Sequence, residues 1–309
     1  MAIKCKEYGI LLAVVMFAMS TMSFASTGER IKFTFAPEDK VSFVQKITTT
    51  KESDVGGKAK LKDESITTSK ITITKTETGW EVNAQPTGIS MFRNGEEIND
   101  PIASLMSNAK VTYILDRNGN VLDIKGYEEY VEEISRKIDP EKLKRYASVL
   151  NVDVLKAKEI AEWKGRVGDF AGMEAGLGET QDANVPYQLP DGSTITYSIQ
   201  TTITGREPCG TRKCVRVSQE YDSDADNAAR LSGSLVNSVA SAVAPDVQKT
   251  SSGGNTATIH GIVKRVIDPD TMLIYEEDVT RHINMSLDIP GSGPVSVTRT
   301  ERRKYEFTY

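Results

Sequence analysis

Thr194-Ile-Thr-Tyr-Ser-Ile-Gln-Thr-Thr-Ile203 and His282-Ile-Asn-Met-Ser-Leu-Asp-Ile289 decide the fold class of this chain. In the first, Ile195, Tyr197, Ile199 and Ile203 alternate with Thr196, Ser198, Gln200 and Thr202. In the second, Ile283, Met285, Leu287 and Ile289 alternate with His282, Asn284, Ser286 and Asp288. Successive side chains of a strand point to opposite faces, so each stretch turns one face to a core and one to water. That is the pattern of antiparallel sheet. Val111, Tyr113 and Leu115 repeat it, as do Val41, Phe43 and Ile47. Turn chemistry separates such runs: Asn94-Gly95, Asn118-Gly119, Pro190-Asp191-Gly192, Asp268-Pro269-Asp270 and the loop Pro290-Gly291-Ser292-Gly293-Pro294. The reading is a mainly β protein with helices, an α+β fold on curved antiparallel sheet.

Helical spacing enters in two places. Tyr127, Tyr130, Val131, Ile134 and Ile138 form one apolar stripe. Asp139-Pro140 restarts a helix as cap and first-turn proline, with Leu143, Tyr146, Ala147 and Leu150 as its apolar positions, and a third segment runs over Val152 to Trp163. The other helix is expected from about Ser223 to Ala244, stopped by Pro245, with Ala228, Leu231, Leu235, Val239 and Val243 on its apolar face. Its serines and Gly233 give it weak intrinsic helicity. The chain thus divides into a leader over 1–25, a β-rich half over 26–165 ending in the helical segment 127–163, and a second β-rich half over 166–309. The order of elements in the two halves is similar, which suggests a pseudo-repeat.

The leader has three parts: Lys4 and Lys6, an apolar run from Ile10 to Met22, and Ser23-Phe24-Ala25 as the cleavage site. This is the grammar of a secretory signal, and it predicts cleavage after Ala25 and a periplasmic or secreted product. Cys5 precedes the apolar run and so cannot carry a lipoprotein anchor. Cys209 and Cys214 remain after cleavage, facing each other across a four-residue turn between two strand-like runs. In an oxidising compartment they are expected to form a disulfide.

At 39% hydrophobic and 26% charged residues, the composition excludes a disordered chain and a polytopic membrane protein. A net charge of −5 excludes a general nucleic-acid binder. Asp116-Arg-Asn-Gly-Asn120 has the alternate oxygens of a calcium loop but misplaces the glycine and lacks the closing Glu, so it reads as a hairpin turn. Asp222, Asp224 and Asp226 read first as the acidic N-terminus of the Ser223 helix, with weak calcium binding as the alternative. His260 and His282 belong to no catalytic motif, and Trp80 and Trp163 read as core. Lys304-Tyr-Glu-Phe-Thr-Tyr309 ends as outer-membrane barrels end, but Lys46, Lys75 and Arg299 at outward positions, and the helical block between the strands, favour a closing strand packed into the sheet.

Asp116 to Ile134, Glu162-Trp-Lys-Gly-Arg-Val-Gly-Asp-Phe170 and the Glu207-Pro-Cys segment resemble a family of uncharacterised exported bacterial proteins. That resemblance implies no activity and transfers no catalytic residue. The layout is also similar, in architecture alone, to the half-barrels of periplasmic lipoprotein carriers. Together these readings point to a non-enzymatic envelope protein without cofactor or metal. An apolar small molecule or lipid would bind beneath a lid of Leu231, Leu235, Val239 and Val243. The alternative is an assembly protein that meets another envelope protein through a sheet edge.

Overall fold

The computed structural model describes residues 29–57, 59–98, 105, 109–139, 150–188, 194–223, 256–289 and 293–309. The leader, the Leu143–Ala147 stripe and the lid residues Leu231, Leu235, Val239 and Val243 lie outside the described residues, as do Asp224 and Asp226.

Strands dominate, as the alternation requires. The first half contributes β1 (Arg30–Lys32), β2 (Val41–Val55), β3 (Ala59–Lys75), β4 (Gly79–Arg93), β5 (Glu96–Glu97), β6 (Val111–Asp116) and β7 (Val121–Lys125). Helices α1 (Tyr127–Lys137) and α2 (Val152–Trp163) follow, and α2 runs into a π-helical turn, Lys164–Gly168. The second half contributes β8 (Glu174–Gly176), β9 (Thr180–Gln188), β10 (Thr194–Cys209), β11 (Arg212–Ser223), β12 (Thr256–Ile267), β13 (Ile274–Ile289) and β14 (Gly293–Thr308). Several strands reach 15 to 17 residues, about three times the ordinary strand.

All but β1 and β8 form one curved antiparallel sheet of 12 strands, in the order β7-β6-β4-β3-β2-β14-β13-β12-β11-β10-β9 with β5 appended to β4. The chain starts in the middle at β2 and meanders to the β7 edge. Through α1 and α2 it then crosses to the opposite edge at β9 and meanders back to the middle. There β14 closes on β2 over Val297↔Val55 to Thr308↔Val44. The barrel-like C-terminal strand is therefore the central seam of the sheet.

Register assigns the faces. Opposed residues of an antiparallel pair point the same way, so Ile283 shares a face with Ile259 and Arg299, and Arg281 with Gly261 and Glu301. This is also the face of Ile71, Val82, Leu115 and Ile203, against which Val167 and Phe170 pack; it is the inner face. Arg299 is thus corrected: it points inward, because β14 pairs it with Ile283 of β13 and Ser53 of β2; Lys75, on the parity of Ile71 and Ile73 and opposite Trp80, lies on that side too. Lys46, on the opposite parity, is exposed as expected.

The main core fills one end of the inner face. Phe33 and Phe35 from the segment after β1 join Trp80, Leu115, Ile203, Val217 and Phe170 there. Trp163 meets Phe35 edge-on, lies tilted against Tyr113 and donates from Nε1 to the Gly119 carbonyl at 2.7 Å. Both tryptophans are structural. Helix α1 buries Tyr127, Tyr130 and Ile134 against Val111 and Ile124, the stripe the spacing gives. Gly126 before it has φ 103°, and a Cβ there would lie 2.1 Å from the Lys110 carbonyl oxygen, so no other residue fits without movement. Asn151 caps α2, accepting from the backbone N–H groups of Asp153 and Val154.

Cys209 and Cys214 form the disulfide. They do not face each other across a four-residue turn: the turn is Gly210-Thr211, and Cys209 lies opposite Arg212 while Cys214 lies opposite Glu207. The bridge is diagonal, with Cα atoms 5.7 Å apart, and packs with Val266 in a cluster separate from the main core.

Candidate functional site

Beyond the main core the inner face carries two further zones. Nearest the core is a belt of charge. Arg265 and Arg166 both reach Oε2 of Glu277, at 2.9 and 3.2 Å, and the Glu277 side chain is 1% exposed. Burial opposes ionisation of Glu277, but the two guanidinium groups outweigh it and hold the carboxyl below its ordinary value. Arg166 also lies over the Tyr305 ring, 4.7 Å from its centre. One register step away, Arg303 binds Glu301 through two nitrogens and Glu162 of α2 through the third. Each carboxylate in this part of the belt has a cation, and each cation a carboxylate.

The next step changes character. Lys51, Glu301 and Arg281 lie side by side in one cross-strand row, with Arg299 in the adjoining row between Ser53 and Ile283. Among the described residues, Lys51, Arg281 and Arg299 have no carboxylate within salt-bridge distance. The Nε of Arg299 is buried without a hydrogen-bond partner. Burial lowers the Lys51 pKa; Glu301 opposes this, while Arg299, Arg303 and Lys158 add to it.

Arg281 is positioned by an aromatic strut. Tyr221 lies two strands away, with Gly261 between them in the same row. Its ring crosses over Gly261, where a Cβ would come within 2.1 Å of the ring carbon bearing the hydroxyl. The hydroxyl accepts from Arg281 Nε at 3.1 Å. Tyr197 meets Tyr221 edge-on, with ring centres 5.7 Å apart.

Past these cations the face is apolar again. Ala257, Ile259, Ile283, Met285 and Val297 form a second buried cluster, with Val55, Tyr197, Tyr221 and Val295 packed around it. It shares no residue with the main core. The cluster sits at the sheet end where β11 finishes at Ser223 and β12 begins at Thr256, so residues 224–255 leave and rejoin the sheet beside it.

The other sequence candidates fall elsewhere. Asp222 lies in β11, and its Oδ1 is 2.9 Å from Nδ1 of His260 across the β11–β12 pair. The strand continues through Ser223, where the sequence reading begins a helix. His282, opposite His260, is 3.2 Å from the Thr300 hydroxyl; both histidines have ordinary polar partners. Asp116 is a turn residue: its Oδ1 accepts from the backbone of Asn118 and Asn120, and its Oδ2 from the Asn120 side chain, each at 2.8 Å. Two depressions of about 410 and 450 Å³ lie where β2 and β3 approach β4 and β14. They are open, and side chains of both signs line them, Glu52, Asp54, Lys60 and Lys62 at the first. Neither touches the second apolar cluster.

Sequence reasoning found Ile283, Met285 and Tyr197 as apolar positions but missed Lys51, Arg281 and the role of Arg299. A signal was present: Val297, Arg299, Glu301, Arg303 and Tyr305 occupy alternate positions of one strand, and both ends of that series are apolar.

No family model matches the sequence, and no curated protein matches it. Among solved structures, one concerned with lipid–protein interactions in lipovitellin is similar at 9% identity and a TM-score of 0.47, over 88% of this chain and 25% of that one. The chain spans about a quarter of the length of that protein. DynF from the dynemicin biosynthesis pathway of Micromonospora chersina is similar at 9% identity and a TM-score of 0.22, over 91% of this chain and 86% of that one. TM-scores this low carry no functional argument.

Proposed function

We propose that this is an exported, non-enzymatic protein of the cell envelope that binds or carries an apolar ligand. The ligand's place is the inner face around Ile259, Ile283, Met285 and Val297, at the sheet end where β11 finishes and β12 begins. One observation carries the reading: the inner face has two apolar zones, and a belt of charge divides them. A single domain core is ordinarily one contiguous cluster, with smaller satellite clusters under long loops. Here the second zone lies at the far end of strands that outrun the main core, where the chain inserts a 32-residue connection, 224–255, between two paired strands. So long a connection is uncommon in a compact domain unless it serves a function such as a lid. Within it fall Leu231, Leu235, Val239 and Val243, whose spacing is that of an apolar helix stripe.

Native mass spectrometry of protein purified from its own envelope tests the proposal. A bound apolar molecule is expected, and Leu235→Asp should lose it with little change in melting temperature. Wild-type protein that carries nothing and takes up no fatty acyl chain in titration would sink the reading.

A further inference from the structure

We infer that Lys51, Arg281 and Arg299 form an anion-binding site on the inner face, so that the ligand is an anionic amphiphile. Its phosphate or carboxylate head would sit on these three cations while its chain lies on Ile283, Met285 and Val297. The inference rests on the apolar-ligand reading above and names the ligand class within it.

Charge balance is the first argument. The chain carries a net −5, yet along this belt Glu162, Glu277 and Glu301 are taken up by Arg166, Arg265 and Arg303. Among the described residues, Lys51, Arg281 and Arg299 remain outside salt-bridge distance of a carboxylate, and the Glu301 that lies between Lys51 and Arg281 is bound by Arg303. Partly buried charge is retained at a cost unless it is paired. The Arg299 Nε, buried with no partner, is a donor without an acceptor, and the depressed Lys51 pKa reflects cation crowding as well as burial. An anion placed among them would supply what each lacks.

Position is the second argument. Arg299 occupies the same cross-strand row as Ile283 and Ile259, and Val297 and Met285 fill the next row. The unpaired cations therefore border the apolar zone directly, as the head of an amphiphile borders its chain. The third argument is preorganisation. Tyr221, lying over Gly261, fixes the Arg281 guanidinium by its Nε and leaves the terminal nitrogens for a bidentate contact with an oxyanion.

Calorimetric titration of the full chain tests this with three probes: a lysophosphatidic acid, the monoacylglycerol of the same acyl chain, and inorganic phosphate. The anionic lipid is expected to bind at least about tenfold tighter than the neutral one, since a charge-assisted hydrogen bond is worth roughly one such factor. Arg299→Met and Lys51→Met should each remove most of that difference and leave monoacylglycerol binding unchanged. Thermal melts of both variants should match or exceed the wild type, because each replaces a partly buried cation that has no salt-bridge partner by an apolar side chain. Equal affinity for the two lipids would overturn the anion site and leave the apolar-ligand reading standing. Phosphate bound as tightly as the lysophosphatidic acid would keep the anion site and overturn the apolar ligand. Binding of none of the three would overturn both. A lowered melting temperature with parallel loss of both lipids would show a structural role for these cations and overturn the inference.

Discussion

Two stretches of the inner face, one register step apart, use the same residue types to opposite ends. Around Glu277 and Arg303, each charge has a partner within hydrogen-bond distance, and aromatic rings close over two of the arginines: Tyr305 faces Arg166 and Phe170 faces Arg265. Around Lys51, Arg281 and Arg299, cations outnumber carboxylates among the described residues, and a guanidinium nitrogen is buried with no partner among them. The first arrangement is complete in the folded chain. The second becomes complete when something else arrives. Charge inside a fold supports structure where it is balanced and points to a ligand where it is not.

Breaking the balanced half should have the largest effect. Glu277→Ala leaves Arg265 and Arg166 facing each other without a counter-charge and should cost about 3–5 kcal/mol, read as a fall in the urea midpoint. A change under about 1 kcal/mol would mean that water reaches the pair and would erase the contrast between the two zones.

Smaller, but nearer the unbalanced half, is Gly261→Ala. The new methyl group meets the Tyr221 ring at 2.1 Å, so the ring must leave and release Arg281. Overpacking of this kind should cost about 1–3 kcal/mol. Thermal unfolding checks it, and near-ultraviolet circular dichroism should report the altered Tyr197–Tyr221 pair.

Reduction of Cys209–Cys214 comes next. The loop it closes is short, so the chain-entropy model gives about 2 kcal/mol. The bridge packs away from both zones, with Val266, so reduction should lower the melting temperature and leave lipid binding unchanged. Lost binding would mean that the hairpin end and the apolar zone are coupled.

The pH dependence is gentlest. Glu277 and Glu301 both have folded pKa values below the ordinary 4.5; burial opposes the shift, and Arg166 and Arg265 in one case, Arg303 and Lys51 in the other, produce it. Their contribution is fully present above about 4.5 and is lost as pH falls through the lower folded values. Lys51 works in the other direction. Its folded pKa lies below 10.5, so the unfolded chain binds the extra proton between the two values. In that window stability rises with pH. Denaturation midpoints from pH 3 to 10 should show an acid loss that Glu277→Gln reduces and an alkaline gain that Lys51→Met abolishes.

Much of the molecule was legible in the sequence. Alternation is a local property, so Ile195 to Ile203 and Ile283 to Ile289 announce strands wherever they pair. Tyr127, Tyr130 and Ile134 announce a helix face for the same reason. Cysteines five residues apart across a two- or four-residue turn share a face of the hairpin and come within bonding reach. The Asp116 turn follows from an Asn-Gly pair and a carboxylate placed to accept from the backbone.

Tertiary structure decided what those elements face. Alternation says that Arg299 shares a side with Val297 and Glu301, but not whether that side meets water or core. Only the pairing of β14 with β13 and β2 turned it inward, against the expectation that it points out. Likewise nothing in the sequence near Lys51 names Arg281 as a neighbour: 230 residues separate them, and one cross-strand row unites them because β14 closes the chain onto β2. Strand periodicity is written every two residues along the backbone. Charge balance belongs to the sheet, and it exists only after distant strands have been laid side by side.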